Sequence, residues 1–124
     1  MLLTPDVQTE LSRGQLIDIT TTGRQTGQPR RIELVFHNVD GRILISGRPG
    51  FPRGWVANLL ADPRMTFHLK GRLTADLPAR GRVVTDRAER EALLAPIAAT
   101  WRTNLTLMVA SAPLVEVTFP EVGL

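Results

Sequence analysis

The segment "LIDITTTGRQTGQPRRIELVFHNVDGRILISG", residues 16–47, contains three predicted β-strands and two chain reversals. Residues 16–23 are rich in β-branched side chains and end at a glycine, which is typical of a strand. In residues 30–39, Ile32, Leu34 and Phe36 alternate with mainly polar side chains, which predicts a strand with one buried face. Asp40-Gly41 then predicts a tight hairpin turn before a third strand at residues 42–47. The segment therefore predicts an antiparallel meander.

The rest of the chain continues this pattern with few helices. Residues 55–63 predict a short helix closed by a proline, and residues 64–77 predict a second hairpin. Pro78 predicts an edge or a bend in the next strand, which residues 81–84 resume. Asp86 and Glu89 predict the start of a longer helix that Pro96 should kink or split, before a last strand at residues 113–119.

Together these elements predict an α+β fold that is mainly β. We expect a small barrel of about six antiparallel strands, because closure removes exposed strand edges. One short helix follows the third strand, and one longer helix precedes the last. The whole chain, residues 1–124, is predicted to be a single domain.

Composition excludes several classes of protein. An apolar content of 43% is ordinary for a globular domain, and the absence of cysteine excludes disulfides and thiolate chemistry. The N-terminal residues lack the basic start and long apolar run of a signal peptide or membrane anchor, which predicts a cytoplasmic location.

Positive charge is concentrated between residues 23 and 54. Six arginines occur there against Glu33 and Asp40, namely Arg24, Arg30, Arg31, Arg42, Arg48 and Arg53. This bias predicts a phosphate or carboxylate ligand. Two alternatives are solvated arginines on a bulged hairpin and a non-catalytic module for nucleic acid or another anion. Nucleic acid is disfavoured, because aromatic residues make up only 5% of the chain and stacking surfaces are scarce.

The residues for protein-based chemistry are few. His37 and His68 lie on separate predicted strands with no carboxylate at metal-ligand spacing, so we expect no metal site. The motifs of hydrolase elbows, Rossmann folds and P-loops do not occur. Such a chain either binds a ligand or uses the chemistry of an organic cofactor.

Two segments are suited to an anionic cofactor. In residues 20–31, arginine forks, threonine hydroxyls and two glycines form a predicted anion-binding loop. In residues 46–63, a Gly/Pro loop leads into a helix N-terminus that carries Trp55 and, one turn later, Asn58.

These segments, "TTTGRQTGQPR" (residues 20–30) and "SGRPGFPRGWVANLLADPRMTFHL" (residues 46–69), resemble the deazaflavin-dependent nitroreductase family. That family is part of the pyridoxamine-phosphate-oxidase-like split-barrel superfamily, and "RVVTDRAEREAL" (residues 82–93) also fits. The resemblance implies a split β-barrel and the deazaflavin coenzyme F-420, with flavin mononucleotide (FMN) as the alternative. It implies an oxidoreductase that transfers hydride to a quinone, a nitroaromatic or an unsaturated compound.

The resemblance also assigns residues. The phosphate and oligoglutamate tail of the coenzyme would lie at Arg24, Thr26, Gly27 and Arg30, with Gln25 where the family usually has lysine. The ring system would lie near Ser46, Gly47, Arg48, Trp55 and Asn58. Glu33 and Val35, in place of the family's proline and tyrosine, are candidates for the substrate side. Split barrels commonly pair, and Val35, Val83 and Val84 suggest an apolar surface for a C2 homodimer.

Overall fold

The computed structural model describes residues 3–50 and 53–120. Phe51 and Pro52, in the predicted Gly/Pro loop, lie outside the described residues. The elements in chain order are α1 (Pro5–Leu11), β1 (Gln15–Thr22), β2 (Pro29–Val39), β3 (Arg42–Ser46), α2 (Gly54–Ala61), β4 (Arg64–Lys70), β5 (Thr74–Val83), α3 (Arg87–Trp101), α4 (Leu105–Ser111) and β6 (Leu114–Thr118).

The six strands form a closed antiparallel barrel in the order β1-β2-β3-β6-β5-β4, with β4 pairing back onto β1. The register places Ile17 opposite Leu34 and Ile45 opposite Val115. Because side chains alternate along each strand, these positions share the inner face of the barrel. The predicted fold class is confirmed.

The apolar side chains form two layers. Inside the barrel, Phe36 and Phe67 are fully buried and meet edge to face, with ring centroids 5.3 Å apart. A second cluster lies between the outside of the barrel and helices α3 and α4, and it includes Leu44, Val84 and Leu94. Val84 is only 1% exposed and Val83 is half-buried, so the predicted dimer surface is wrong for these two residues. Val84 packs in the cluster with the helices, and Val83 packs against the cluster inside the barrel.

Helix α3 begins where it was predicted to begin, but it does not end at Pro96. Asp86 caps α3 by accepting a hydrogen bond from the Glu89 amide at 2.9 Å, as expected. The helix continues through Pro96 to Trp101 instead of splitting there. Both Pro96 and Ala92 are exposed, so the carbonyl that the proline leaves without an amide partner faces solvent.

Two helices were not predicted, although both have a capping signal. Thr4 caps α1 and is followed by a proline at the first helical position, and Asn104 caps α4. Between α3 and α4, Arg102 adopts the left-handed conformation with φ 52° and ψ 47°. This residue ends α3 and lets the chain turn into α4.

Pro78 lies inside a continuous strand. It pairs with Thr66 of β4, while β6 pairs with β5 only from Arg80 onward. Among the described residues no strand pairs with Pro78 on its other side, so the proline lies at a local edge, one of the two positions predicted for it. Among the residues that the structure describes, no helix is both long and apolar enough to cross a membrane.

Candidate functional site

The loop between β1 and β2 is closed by its own backbone. The Gly23 amide donates to the Gln28 carbonyl and the Gly27 amide donates to the Gly23 carbonyl, both at 2.8 Å. Gly27 has a φ of 71°, which favours glycine. In the part of the chain that the structure describes, the backbone N–H groups of Gln25 and Thr26 have no hydrogen-bond partner. Such adjacent free N–H groups suit an anion.

Asn58 fixes this loop to α2. Its side chain is 5% exposed, and its Oδ1 accepts hydrogen bonds from the Arg24 backbone N at 3.1 Å and from Arg24 Nη1 at 3.0 Å. Its Nδ2 donates to Thr21 Oγ1 at 3.2 Å. Arg24 Nη1 also donates to the Gly54 carbonyl at 3.4 Å, at the start of α2. The amide of Asn58 is thus used within the protein, where it positions Arg24.

A cavity of about 630 Å³ opens beside this loop, within the size range of small-molecule sites. Its lining includes Arg24, Gln25, Thr26, Arg30, Ile32, Leu34, Ser46, Gly47, Arg53, Trp55 and Asn58. Among the described residues, neither Arg24 nor Arg30 has a carboxylate within ion-pair distance. Ile32, 38% exposed, and Leu34 add apolar surface. The cavity therefore combines unpaired positive charge with apolar walls.

Trp55 contributes an unsatisfied donor. The residue is 5% exposed and its Nε1 is buried without a hydrogen-bond partner in the described chain. A buried indole N–H without a partner is unfavourable, and Trp55 lines the cavity.

A second cleft, of about 960 Å³, adjoins the first, because Leu34, Ser46 and Gly47 line both. The Ser46 hydroxyl donates to the Pro113 carbonyl at 2.7 Å, which ties the end of β3 to the start of β6. Further lining comes from Leu16, Glu33, Val35, Arg48, Trp101, Arg102 and Leu107. Most residues predicted for the cofactor thus line the cavity, whereas Glu33, Val35 and Arg48 line the cleft. Gly27 lines neither of them.

The charge of Glu33 is compensated. Glu33 pairs with Lys70, and Lys70 also contacts Asp18 at 2.7 Å. Hydrogen bonds from Lys70 and then from Arg31 hold the pKa of Asp18 below its ordinary value. Hydrogen bonds to Asp18 and then Glu33 raise the pKa of Lys70. A carboxylate at position 33 therefore adds no net negative charge to the cleft.

The six arginines between residues 23 and 54, whose charge was predicted to concentrate in two loops, lie in different environments. Arg31 pairs with Asp18 at 2.9 Å. Arg42 pairs with Glu116 at 2.7 Å and with Glu89 at 3.1 Å, next to the N-terminus of α3. This division weakens the nucleic-acid alternative, because the paired arginines are already neutralised.

The histidines take part in protein contacts. His68 Nε2 lies 2.7 Å from Thr20 Oγ1, and its Nδ1 lies 2.7 Å from Asp76 Oδ1. His37 packs against Trp101 with ring centroids 5.0 Å apart, and burial lowers its pKa. Within residues 3–50 and 53–120, no group of three His, Cys, Asp or Glu side chains could hold a metal ion.

The sequence did not predict several of the residues that line the cavity and the cleft. Ile32 alternates correctly with the core positions, but β3 pairs with β2 only over residues 36–39. Ile32 lies on the part of β2 that pairs with β1 alone, and it is 38% exposed. Trp101 and Leu107 reach the cleft because the chain turns between α3 and α4. No local sequence signal places that turn beside β2.

A protein-family model described as F420H(2)-dependent quinone reductase matches residues 4–112. The chain belongs to this family. It is an oxidoreductase family that uses the deazaflavin coenzyme, so the predicted enzyme class and cofactor are confirmed.

Solved structures show the same fold at low sequence identity. A reductase dependent on reduced F-420 is 19% identical, with a TM-score of 0.61 over 83% of this chain and 93% of that chain. A Clostridium acetobutylicum protein of the pyridoxinephosphate oxidase family is 15% identical, with a TM-score of 0.65 over 92% and 80%. A structure described as a domain-swapped dimer is 20% identical, with a TM-score of 0.61 over 83% and 79%.

The residues of the cavity fit this coenzyme. The coenzyme joins an aromatic ring system to a phosphate and an acidic tail. The cavity offers apolar side chains and an unsatisfied indole N–H for a ring, and two arginines with free backbone N–H groups for an anion. The two chemical requirements are met by different parts of one cavity.

Proposed function

We propose that the 630 Å³ cavity binds the deazaflavin coenzyme and that the adjoining cleft binds the organic acceptor of its hydride. The observation that carries this proposal is the pair Arg24 and Arg30, which lack carboxylate partners among the described residues and line a cavity with apolar walls. Arginine forks bind phosphate and carboxylate groups well.

The residues of the chain bind and orient the reactants. Arg24, Arg30 and the N–H groups of Gln25 and Thr26 would hold the phosphate and the acidic tail. Trp55 Nε1 would donate to an acceptor atom of the ring, and Asn58 would act through Arg24. Ser46 and Gly47 lie where the cavity meets the cleft.

When bound in its reduced form, the coenzyme supplies a hydride, that is, two electrons and one hydrogen nucleus. The acceptor would take this hydride together with a proton from solvent, which requires no protein nucleophile. The contribution of the protein is to hold coenzyme and acceptor in adjacent sites. The acceptor classes are quinones, nitroaromatics and unsaturated compounds, and the family description supports quinones most directly.

The experiment is a fluorescence titration of the purified protein with coenzyme F-420 and, in parallel, with FMN. We expect saturable binding of the deazaflavin at micromolar concentration and weaker binding of FMN, which lacks the acidic tail. Absence of saturable binding of either compound at tens of micromolar contradicts the proposal. Tighter binding of FMN would favour the flavoprotein alternative.

The proposal includes a homodimer. Leu16 and Val35 are cross-strand partners on β1 and β2, and both are exposed. Both also line the cleft, so a C2-related partner that packs on this face would cover them and form a further wall of the cleft. The structure described as a domain-swapped dimer has the same fold, which is compatible with pairing. Sedimentation at micromolar concentration tests this part, and a single species of 13.7 kDa contradicts it.

Two sequence predictions remain part of this proposal: a single cofactor-binding domain over residues 1–124 and a cytoplasmic location.

A further inference from the structure

Two arginines from separate segments line the cleft beside the cavity. Arg48 follows β3, and Arg102 lies between α3 and α4. In the described parts of the chain neither has a carboxylate within ion-pair distance. The other charged residue of the lining is Glu33, whose charge Lys70 compensates. The cleft therefore has a net positive charge.

Arg102 occupies a backbone conformation that favours glycine. With φ 52° and ψ 47°, it ends α3, and its amide donates to the carbonyls of Ala98 and Ala99. Helices commonly place glycine at such a position, because other side chains are strained there. The geometry of the helix end therefore gives no reason for an arginine at this position.

The remaining walls are apolar. Leu107 is 58% exposed and Trp101 is half-buried, and both line the cleft with Leu34. Of the five large apolar side chains that are exposed in the described chain, three line this cleft and a fourth, Ile32, lines the adjoining cavity. Apolar walls with a few charged groups are typical of sites that bind and orient a small molecule.

We propose that Arg48 and Arg102 determine acceptor specificity, by selecting apolar ring compounds that carry an anionic substituent such as a sulfonate or carboxylate. This inference rests on the proposed function, because the acceptor must lie next to the coenzyme. It concerns the acceptor alone and assigns neither arginine to the coenzyme. Charge-assisted hydrogen bonds from the two guanidinium groups provide the selection.

The test compares two ligands of similar shape, naphthalene-2-sulfonate and the neutral naphthalene-2-sulfonamide. Calorimetry measures their binding to the protein with oxidised coenzyme bound. We expect the sulfonate to bind more tightly, and we expect Arg48→Gln and Arg102→Gln each to weaken it by about threefold to tenfold. The sulfonamide should change by less than about twofold, since it carries no charge for the arginines to bind.

Arg72→Gln is the matched control, because Arg72 is an exposed arginine in the turn between β4 and β5. It should leave both affinities unchanged. Arg102→Gly gives a second measurement: the melting temperature should stay the same or rise, because the strain is removed, while the preference for the sulfonate falls.

The possible failures are distinguishable. If the coenzyme itself does not bind, the proposed function is contradicted, and this inference with it. If the coenzyme binds normally and the two ligands bind equally, only the selection by Arg48 and Arg102 is contradicted. Equal losses for both ligands in the arginine variants also contradict it, because they indicate a steric role.

Discussion

Two clusters of arginines on this barrel differ in the groups that surround their guanidinium groups. In the paired cluster, Arg42 and Arg82 bind Glu89 and Glu116 at distances of 2.7 to 3.1 Å. In the open cluster, Arg24 and Arg30 line the cavity without a carboxylate partner in the described chain. The difference indicates two functions for one residue type: the paired cluster joins secondary-structure elements, and the open cluster is available to a ligand.

The paired cluster links β3, β5 and β6 to the first turn of α3. Glu89 is also the third residue of that helix, where a negative charge is favourable. Hydrogen bonds from Arg82 and then Arg42 lower the pKa of Glu89 to about 2. In the open cluster, the amide of Asn58 takes the place of a carboxylate and leaves the charge of Arg24 uncompensated.

The largest loss of stability is expected for a variant of Arg90. Like the arginines of the paired cluster, Arg90 makes its contacts within the protein. Its guanidinium donates to the backbone carbonyls of Val84, Met108, Val109 and Ala112, which ties α3 to the end of α4. We expect Arg90→Met to lower the free energy of unfolding by about 3 kcal/mol, since carbonyls lose charged donors. Urea denaturation measures this change. Normal stability of the variant would show that these bonds are replaced by water.

The variants Arg24→Ala and Arg30→Ala test whether the open cluster binds the coenzyme. Each should weaken coenzyme binding by about 1.5–3 kcal/mol, the value of a charge-assisted hydrogen bond, with little change in melting temperature. Fluorescence titration and thermal melting are the two measurements.

Arg42→Ala is the reciprocal control for these variants, and it should lower the melting temperature and leave coenzyme binding unchanged. If Arg24→Ala and Arg30→Ala instead melt early and bind normally, the two clusters have the same structural function.

Asn58 holds Arg24 in position by hydrogen bonds but does not neutralise its charge. Asn58→Leu should cost about 1–3 kcal/mol of stability, since Thr21 and the Arg24 amide lose a buried partner. It should also weaken coenzyme binding. Asn58→Asp keeps an acceptor for Arg24 and should recover stability better than the leucine variant. Equal defects in both variants would contradict the positioning role.

The paired cluster should contribute to the pH dependence of stability. The pKa of Glu89 is lower in the folded protein than its ordinary value, so its contribution is present above about pH 4.5 and is lost as the pH falls toward 2. Melting temperatures measured from pH 6 to pH 2.5 should fall less steeply in Glu89→Gln than in the parent protein. Parallel curves would show that Glu89 makes no pH-dependent contribution.

The smallest effect is expected for a substitution of Gln25, which tests whether a further positive charge beside the open cluster strengthens coenzyme binding. It lines the cavity at the position where the resembled family usually has lysine. Gln25→Lys should strengthen coenzyme binding by about 0.2–1 kcal/mol, and the gain should shrink at high salt. Titrations at low and high salt measure the gain in affinity and its dependence on salt. Weaker binding at low salt would indicate that the acidic tail does not pass this residue.

Much of the barrel follows from local sequence. Alternation in residues 30–39, the Asp40-Gly41 turn and the Asp86 cap each predicted an element that the structure contains. Of the kink or split predicted at Pro96, the split does not occur, because a proline costs less where the opposing carbonyl faces solvent, and exposure is not visible in sequence. Helices α1 and α4 are short, with seven residues each, and so give little periodic signal.

The sequence by itself determined the strand pattern, the absence of hydrolase-elbow, Rossmann and P-loop motifs, and the two segments that carry the family resemblance. These are local properties of residue type and spacing. Only the tertiary structure decided which arginines are neutralised, because Arg42 is 74 residues away from Glu116 and Arg24 is 34 residues away from Asn58. Strand pairing brings one arginine to a carboxylate, and helix packing brings the other to an amide. The charge left for a ligand depends on these long-range contacts.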